Sequence, residues 1–465
     1  MVTIALLPGC VVFGPATPLP PAAPRTVGVD TQSERDHARL VAAFGGEVRA
    51  PNAMRLLGDI TGKLVAATDR PDESYRVTIL NSPVVNAFAL PSGRLYVTRG
   101  LLALANDSAE LAAVLSHEIA HVTLRHASLR SELEARSTLL SQVTAKVLEN
   151  PTEAAMVRDR WRFSLASFSR GQELEADQAG VKVLARAGFD PFGAPRFLTA
   201  LGRSGGGTDQ NRPAAPDMLS THPSTGERIS QALQAARRAS APGIGEADRE
   251  RYFVAVDGLP YGDDPADGLI RGRRFAHGRL GVAFEAPEGF SLENTSQAVL
   301  GQSPDGNKRL LFDAASTPNG ESLEDVLRTT WNDTIEPGSM ETTTVNGLPV
   351  AIALSRGKDW WFRLSAIRIG ATTYRLILAT KAGTGDLEAL FRRTVGSVRQ
   401  ITAEEAHALR PLRIQVVTAR DGDTAEAFAD RMAVGDKPLE RFMLLNGLER
   451  GGVLRAGQRY KIVVE

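Results

Sequence analysis

Apolar side chains crowd one short run of the chain. Leu111, Ala112, Val114, Leu115, Ile119, Ala120 and Val122 circle almost the whole girth of a helix, the pattern of a buried helix rather than an amphipathic one. Asp107 and Glu110 stand at capping-box spacing before it, which starts the helix at Ser108. Upstream, the pattern predicts helices over 31–70 and two strands, Tyr75-Arg76-Val77-Thr78-Ile79-Leu80 and Arg94-Leu95-Tyr96-Val97-Thr98, parted by Pro83 and a Pro91-Ser92-Gly93 turn. Downstream, residues 125–170 read as helical, with Trp161, Phe163, Leu165 and Phe168 as core. A further helix spans 172–187 and ends near Gly188, Asp190-Pro191 opens the next, and 204–216 form a Gly/Pro-rich loop.

After Ala241-Pro242-Gly243-Ile244-Gly245 the periodicity changes. Short alternating stretches at 281–285, 309–312, 349–354, 361–365 and 374–378 predict strands, and helices fall near 321–332 and 385–396. This predicts a separate α+β domain over 270–400 with a mostly antiparallel sheet. It carries no catalytic constellation; His277 reads as surface and Trp360-Trp361 as core. Residues 411–465 read as a compact βααβ unit.

Composition narrows the class. The 465 residues suffice for two to four domains. Lys plus Arg equals Asp plus Glu at 54 each, so bulk charge offers no nucleic-acid partner. Residues 1–13 are apolar but too short to span a bilayer, and look like the core of a secretory leader. Leu7-Pro8-Gly9-Cys10 resembles a bacterial lipobox. Cys10 is the sole cysteine, which excludes an intramolecular disulfide and fits lipidation. Residues 14–30, rich in Pro and Gly, read as a linker.

The buried helix carries polar residues that such burial does not tolerate unpartnered. His117-Glu118-Ile119-Ala120-His121 is HExxH. Positions four apart share a helix face, so His117 and His121 aim two imidazoles at one ion, and Glu118 comes close enough to take a proton from water there. Zinc suits neutral imidazole and in catalytic sites wants a third protein ligand. The HExxHxxGxxH spacing is absent. The remaining candidate is Glu173, four residues before Asp177 on one face of the next helix, where Asp177 is placed to hydrogen-bond a ligand histidine. His222 has three readings: stabilising the oxyanion of the tetrahedral intermediate, filling the metal's open position to hold an enzyme latent, or capping a helix near Thr225. Arg228 reads as a surface residue or as a substrate or oxyanion contact. His126, five after His121, falls off the ligand face and reads as a packing or hydrogen-bonding residue.

HExxH followed about 50 residues later by ExxxD resembles the zinc metallopeptidases that include HtpX, the CAAX prenyl proteases and the periplasmic BepA-type enzymes. Asn86-Ala87-Phe88-Ala89-Leu90-Pro91-Ser92-Gly93, Val97-Thr98-Arg99-Gly100-Leu101-Leu102 and Thr221-His222-Pro223-Ser224-Thr225-Gly226-Glu227-Arg228-Ile229 resemble further segments of that family, with Ser92 where Gly is commoner. The resemblance implies a zinc endopeptidase holding one Zn2+ per chain through His117, His121 and Glu173, with Glu118 as base and Asp177 behind the ligands. It also implies an extended peptide laid along 84–90 beside the metal helix. In the C-terminal unit, Gly422-Asp423-Thr424, Leu445-Asn446-Gly447-Leu448 and Gly457-Gln458 resemble a LysM module, which implies peptidoglycan as a partner.

The expected fold class is therefore α+β: a mainly helical zincin-like peptidase domain with a small sheet over 31–245, the α+β domain over 270–400, and a βααβ LysM-like module over 411–465, after a leader and linker over 1–30. The expected protein is exported to a bacterial periplasm, touches the membrane only through a lipid on Cys10, and hydrolyses misfolded or extended envelope polypeptides. The competing reading is a non-enzymatic adaptor or chaperone that binds peptidoglycan on a peptidase scaffold.

Overall fold

A computed structural model describes residues 31–127, 168–205, 218–223, 225–294, 298–315, 321–331, 334–383, 385–435, 437–449 and 451–465. The leader with Cys10, the linker, Trp161, Phe163, Leu165 and most of the 204–216 loop lie outside the described residues. Residues 1–40 and 41–465 separate as two units, and the described part of the first is helical.

Helices and open sheets mix throughout, as an α+β chain requires. The first helices are α1 (Thr31–Ala43) and α2 (Pro51–Ala66). A three-stranded sheet follows, from β1 (Arg76–Leu80), β2 (Ala87–Ala89) and β3 (Arg94–Thr98), in the order β1-β3-β2. β1 runs parallel to β3 and β2 antiparallel to it. Among the described residues β2 pairs only with β3, so its outer side is a sheet edge.

Thr98 and Gly100 show why the turn after β3 is built as it is. The Thr98 hydroxyl caps α3 (Arg99–Leu104), donates to Val84 O at 2.6 Å and accepts from Asn86 N at 3.0 Å. A Cβ on Gly100 would fall 2.2 Å from Pro83 O, so only glycine lets α3 press on the segment that leads into β2.

The buried helix is α4 (Ser108–Thr123). Every residue from Ser108 to His121 is buried, as the apolar pattern predicts. Asp107 caps it by accepting from Glu110 N at 2.8 Å. The capping box is not reciprocal, because Glu110 Oε2 reaches one residue further back and accepts from Asn106 N at 2.9 Å. Around α4 stand α2, β2, α5 (Arg170–Arg186) and α6 (Gly193–Gly205). α7 (Met218–Thr221), α8 (Gly226–Ala239) and α9 (Arg249–Val256) complete this part.

The next strands, β4 (Pro260–Tyr261), β5 (Leu269–Arg271), β6 (Arg274–His277) and β7 (Val282–Glu285), lead to a seven-stranded antiparallel sheet. It holds β8 (Ser291–Asn294), β9 (Ala298–Gln302), β10 (Lys308–Ala314), β11 (Glu341–Val345), β12 (Leu348–Arg356), β13 (Trp360–Ile369) and β14 (Thr372–Lys381), in the order β11-β12-β13-β14-β10-β9-β8. α10 (Leu323–Trp331) packs on one face with Ala351, Ala353 and Leu364, and α11 (Leu387–Gly396) on the other with Val350, Ile367 and Leu376. The surface reading of His277 reverses here, while the core reading of the tryptophans holds in part, with Trp361 packed against the apolar cluster. His277 is buried, while Trp360 and Trp361 are half-exposed under the guanidiniums of Arg309 and Arg356.

After β15 (Arg399–Gln400) and α12 (Ala403–Ala408), the chain closes with β16 (Leu412–Thr418), α13 (Ala425–Asp430), α14 (Pro438–Leu445) and β17 (Arg459–Val464). β16 and β17 pair antiparallel, in the βααβ order read from the sequence. Phe428, Phe442, Tyr460 and Ile462 belong to the same apolar cluster as Leu102 and Leu111 beside the metal helix. Lys461, with no exposed surface, drives its ammonium onto the carbonyls of Ala103, at 2.7 Å, and Ala105, at the end of α3. The C-terminal unit therefore shares its core with the helical part. Deleting residues 411–465 is expected to leave that shared apolar surface bare and yield an aggregating chain. A monomeric deletion variant with the parent's melting temperature would contradict the shared core.

Candidate metal and catalytic site

Three elements and one turn converge on a buried polar cluster. α4 supplies His117, Glu118 and His121. α5, capped by a reciprocal box between Ser169 and Gln172, turns Glu173, Ala176, Asp177 and Gly180 inward along one face. The helices touch where Gly180 meets His117. A Cβ there would lie 3.2 Å from the His117 amide nitrogen, so a larger residue would push Glu173 away from the histidines. The fourth group, His222, follows α7. This short helix hangs from the β2 approach by a 2.9 Å hydrogen bond from Met218 N to Val85 O.

His117, His121, Glu173 and His222 each present one ligand atom, all within 4.8 Å of one another. His117 Nε2 lies 3.0 Å from His121 Nε2 and 3.3 Å from His222 Nδ1. Glu173 Oε1 lies 2.9 Å from His222 Nδ1 and 3.5 Å from His121 Nε2. Zinc bonds of about 2.0–2.2 Å in a tetrahedron separate the donors by roughly 3.3–3.6 Å. Two of the four spacings fall in that range and two, at 2.9 and 3.0 Å, are a few tenths of an ångström tighter, and the donor chemistry agrees. His117 Nδ1 lies 2.9 Å from Asp177 Oδ1, and a neutral His117 with its proton on that side would turn the Nε2 lone pair toward a second imidazole nitrogen. A cation between them removes the conflict. The residues fit one zinc ion.

The surrounding charges are tightly partnered. Arg228 is buried and grips Asp177 with two bonds, Nε to Oδ2 at 2.7 Å and Nη2 to Oδ1 at 2.8 Å. Its third nitrogen meets Glu173 Oε2 at 2.7 Å and Pro223 O at 3.1 Å. The surface reading of Arg228 is thus wrong, because its guanidinium is enclosed by the two carboxylates. The capping reading of His222 also fails, since the Thr225 hydroxyl itself caps α8 by accepting from Arg228 N.

Burial would lift the carboxyl of Asp177, but the hydrogen bonds from Arg228 and His117 hold it down to about 2. Glu173 is likewise kept ionised against its burial by His121 and His222. Burial, helped by the nearby Glu173 charge, pushes Glu118 above the usual carboxylate range. Its Oε1 has no hydrogen bond and sits 3.8 Å from His222 Nε2. Burial holds His121 down to about 2 and so neutral, whereas for His117 the Asp177 carboxylate outweighs burial and raises it.

Sequence reasoning placed His126 outside the ligand face and Phe168 in the core. Both lie against His121. The Phe168 ring stacks on it at 3.9 Å between centroids, and His126 Nδ1 lies 2.9 Å from His121 Nδ1. Helical spacing hides His126, because α4 ends at Thr123 and Arg125 turns left-handed at φ 56°.

Arg228→Leu should destabilise the metal-free protein by about 3–5 kcal/mol, since two carboxylates remain buried without their cation. Urea unfolding measures this, and an unchanged midpoint would refute the pairing role.

Residues 52–236 match the model of Peptidase family M48. The chain is 28% identical over 306 residues to the beta-barrel assembly-enhancing protease of Escherichia coli (strain K12), covering 60% of this chain and 61% of that one. It is 37% identical over 166 residues to the mitochondrial metalloendopeptidase OMA1 of Arabidopsis thaliana, covering 35% and 32%. The metalloendopeptidase OMA1 of Bos taurus matches at 29% over 196 residues, covering 39% and 37%. The chain thus spans less than two thirds of the length of these relatives. Over residues 52–236 the match to Peptidase family M48 bears out the zinc-metallopeptidase resemblance.

Proposed function

We propose that this chain is a zinc-dependent endopeptidase, with His117, His121 and Glu173 holding the metal and Glu118 as the base. The observation that carries this reading is the convergence of buried donors beside a carboxylate, Glu118, whose Oε1 has no hydrogen bond. Bound zinc would supply a Lewis acid that polarises the scissile carbonyl and acidifies water. Glu118 takes one proton from the attacking water as its oxygen adds to the carbonyl carbon. The same proton passes to the amine nitrogen as the C–N bond breaks. Asp177 fixes the His117 tautomer, and Arg228 orients both carboxylates rather than touching substrate.

His222 acts as a latch in this proposal. Its Nδ1 stands among the donors, where a catalytic zinc would otherwise keep an open position. The same turn occupies Val85 O through Met218 N, so it also narrows the strand edge offered to a peptide, from 84–90 to β2. Swinging residues 218–222 away would free both together. An extended polypeptide would then add to β2 in a zincin-like manner, read mainly through its backbone.

The wider setting is also proposed. Export to the periplasm, a lipid on Cys10, envelope polypeptides as substrates and peptidoglycan binding by the C-terminal unit rest on the sequence motifs. A cavity of ≈ 580 Å³ beside Gly422-Asp423-Thr424, lined by Thr418, Arg420, Asp423 and Arg431, is where the glycan would be sought. Among the described residues no helix is long and apolar enough to cross a membrane.

One zinc per chain is expected by metal analysis. Glu118→Gln should keep the zinc and lose about 10²–10⁴-fold in cleavage of unfolded casein; cleavage at the parent's rate would refute the base. His222→Ala should cleave faster than the parent. A loss of activity in that variant would instead make His222 an oxyanion contact and refute the latch.

A further inference from the structure

The two histidines of α4 are held from behind in different ways. The far nitrogen of His117 rests directly on a carboxylate, Asp177, which is buried and clamped by Arg228. The far nitrogen of His121 faces another imidazole. His126 is 2% exposed, and its Nδ1 lies 2.9 Å from His121 Nδ1. On the other side of that ring, His126 Nε2 lies 3.4 Å from Glu175 Oε2, a carboxylate 62% exposed at the surface of α5. A row of groups therefore runs from solvent to the donor cluster: Glu175, His126, His121.

The row has one consistent arrangement of protons when His121 offers its Nε2 lone pair to a metal. His121 then carries its proton on Nδ1. That proton needs an acceptor, and the nearest atom is His126 Nδ1. His126 must then carry its own proton on Nε2, where Glu175 Oε2 stands 3.4 Å away, a near charge rather than a formed hydrogen bond. Each tautomer fixes the next, and the negative end of the row is the carboxylate.

Resting on the zinc-peptidase reading above, we propose that His126, oriented by Glu175, is the positioning residue for His121. It fixes the tautomer and ring orientation that deliver Nε2 to the metal. The left-handed turn at Arg125 makes this possible, because it ends α4 and folds His126 back against the helix it has just left. The two ligand histidines are thereby secured from opposite directions, one by α5's buried carboxylate and one by the chain just beyond α4.

The test is zinc affinity of the full chain, measured by competition with a chromogenic chelator, alongside the visible spectrum of the cobalt-substituted protein. His126→Leu should weaken zinc binding by about 10–100-fold, the range seen when such outer partners are removed. It should also shift the cobalt bands. His126→Asn, whose amide oxygen can stand in for Nδ1 as acceptor, should recover most of the affinity and the parent spectrum. Glu175→Leu should lose less than His126→Leu, because its carboxylate is mostly in water. Parent-like zinc affinity in His126→Leu would overturn the proposal. So would equal loss in His126→Leu and His126→Asn, which would make His126 a packing residue only. A parent protein that takes up no zinc would overturn the peptidase reading itself and this inference with it.

Discussion

Everything in the helical half depends on keeping three imidazoles and two ionisable carboxylates out of water within a few ångströms of each other. His117, His121, His222, Glu118 and Glu173 are all buried. Such burial is costly unless each group finds a partner or a metal. The sequence around them answers that demand. α4 is buried from Ser108 to His121, and beyond its first turn its ionisable residues, His117, Glu118 and His121, belong to the site. Gly180 lets α5 approach closely enough for Glu173 to reach the histidines.

Partners behind the donors complete the balance. Arg228 neutralises Asp177 and part of Glu173. Asp177 holds His117, and His126 holds His121. Glu118 Oε1 lacks a well-formed hydrogen bond, as do Glu173 Oε2, His117 Nδ1 and His126 Nε2, but those three lie 2.7, 2.9 and 3.4 Å from Arg228, Asp177 and Glu175, whereas Glu118 Oε1 is 3.8 Å from His222 Nε2. A buried carboxylate with the loosest pairing in its cluster is a candidate for chemistry still to perform.

The same constraint ties distant parts of the chain to the site. The approach to β2 is pinned by Thr98 and Gly100, and it also carries the turn that brings in His222. The C-terminal unit seats Lys461 on the carbonyls just ahead of α4 and shares its apolar core. A disturbance at either place reaches the metal helix through packed groups rather than through a flexible linker.

Local chemistry settled much of this in advance. Helical period alone puts His117 and His121 on one face, and Glu173 and Asp177 on another. An all-round apolar run can only be a buried helix. Strand alternation located β7, β10 and β12 to β14 in the second half, because a two-residue repeat survives without knowledge of neighbours. Tertiary structure decided what depends on contacts between segments far apart in sequence. The sequence left Arg228 either a surface residue or a substrate or oxyanion contact, because nothing local shows that Asp177, 51 positions earlier, closes over it. His277 proved buried and the paired tryptophans only half-buried, because burial in a sheet follows the layers packed on each face. His126 was hidden by a left-handed turn at a residue other than glycine, which no helical period foretells. Whether His222 met a helix cap or the donor cluster depended on where a turn bonded to Val85 would carry it, and that placement is written in the fold alone.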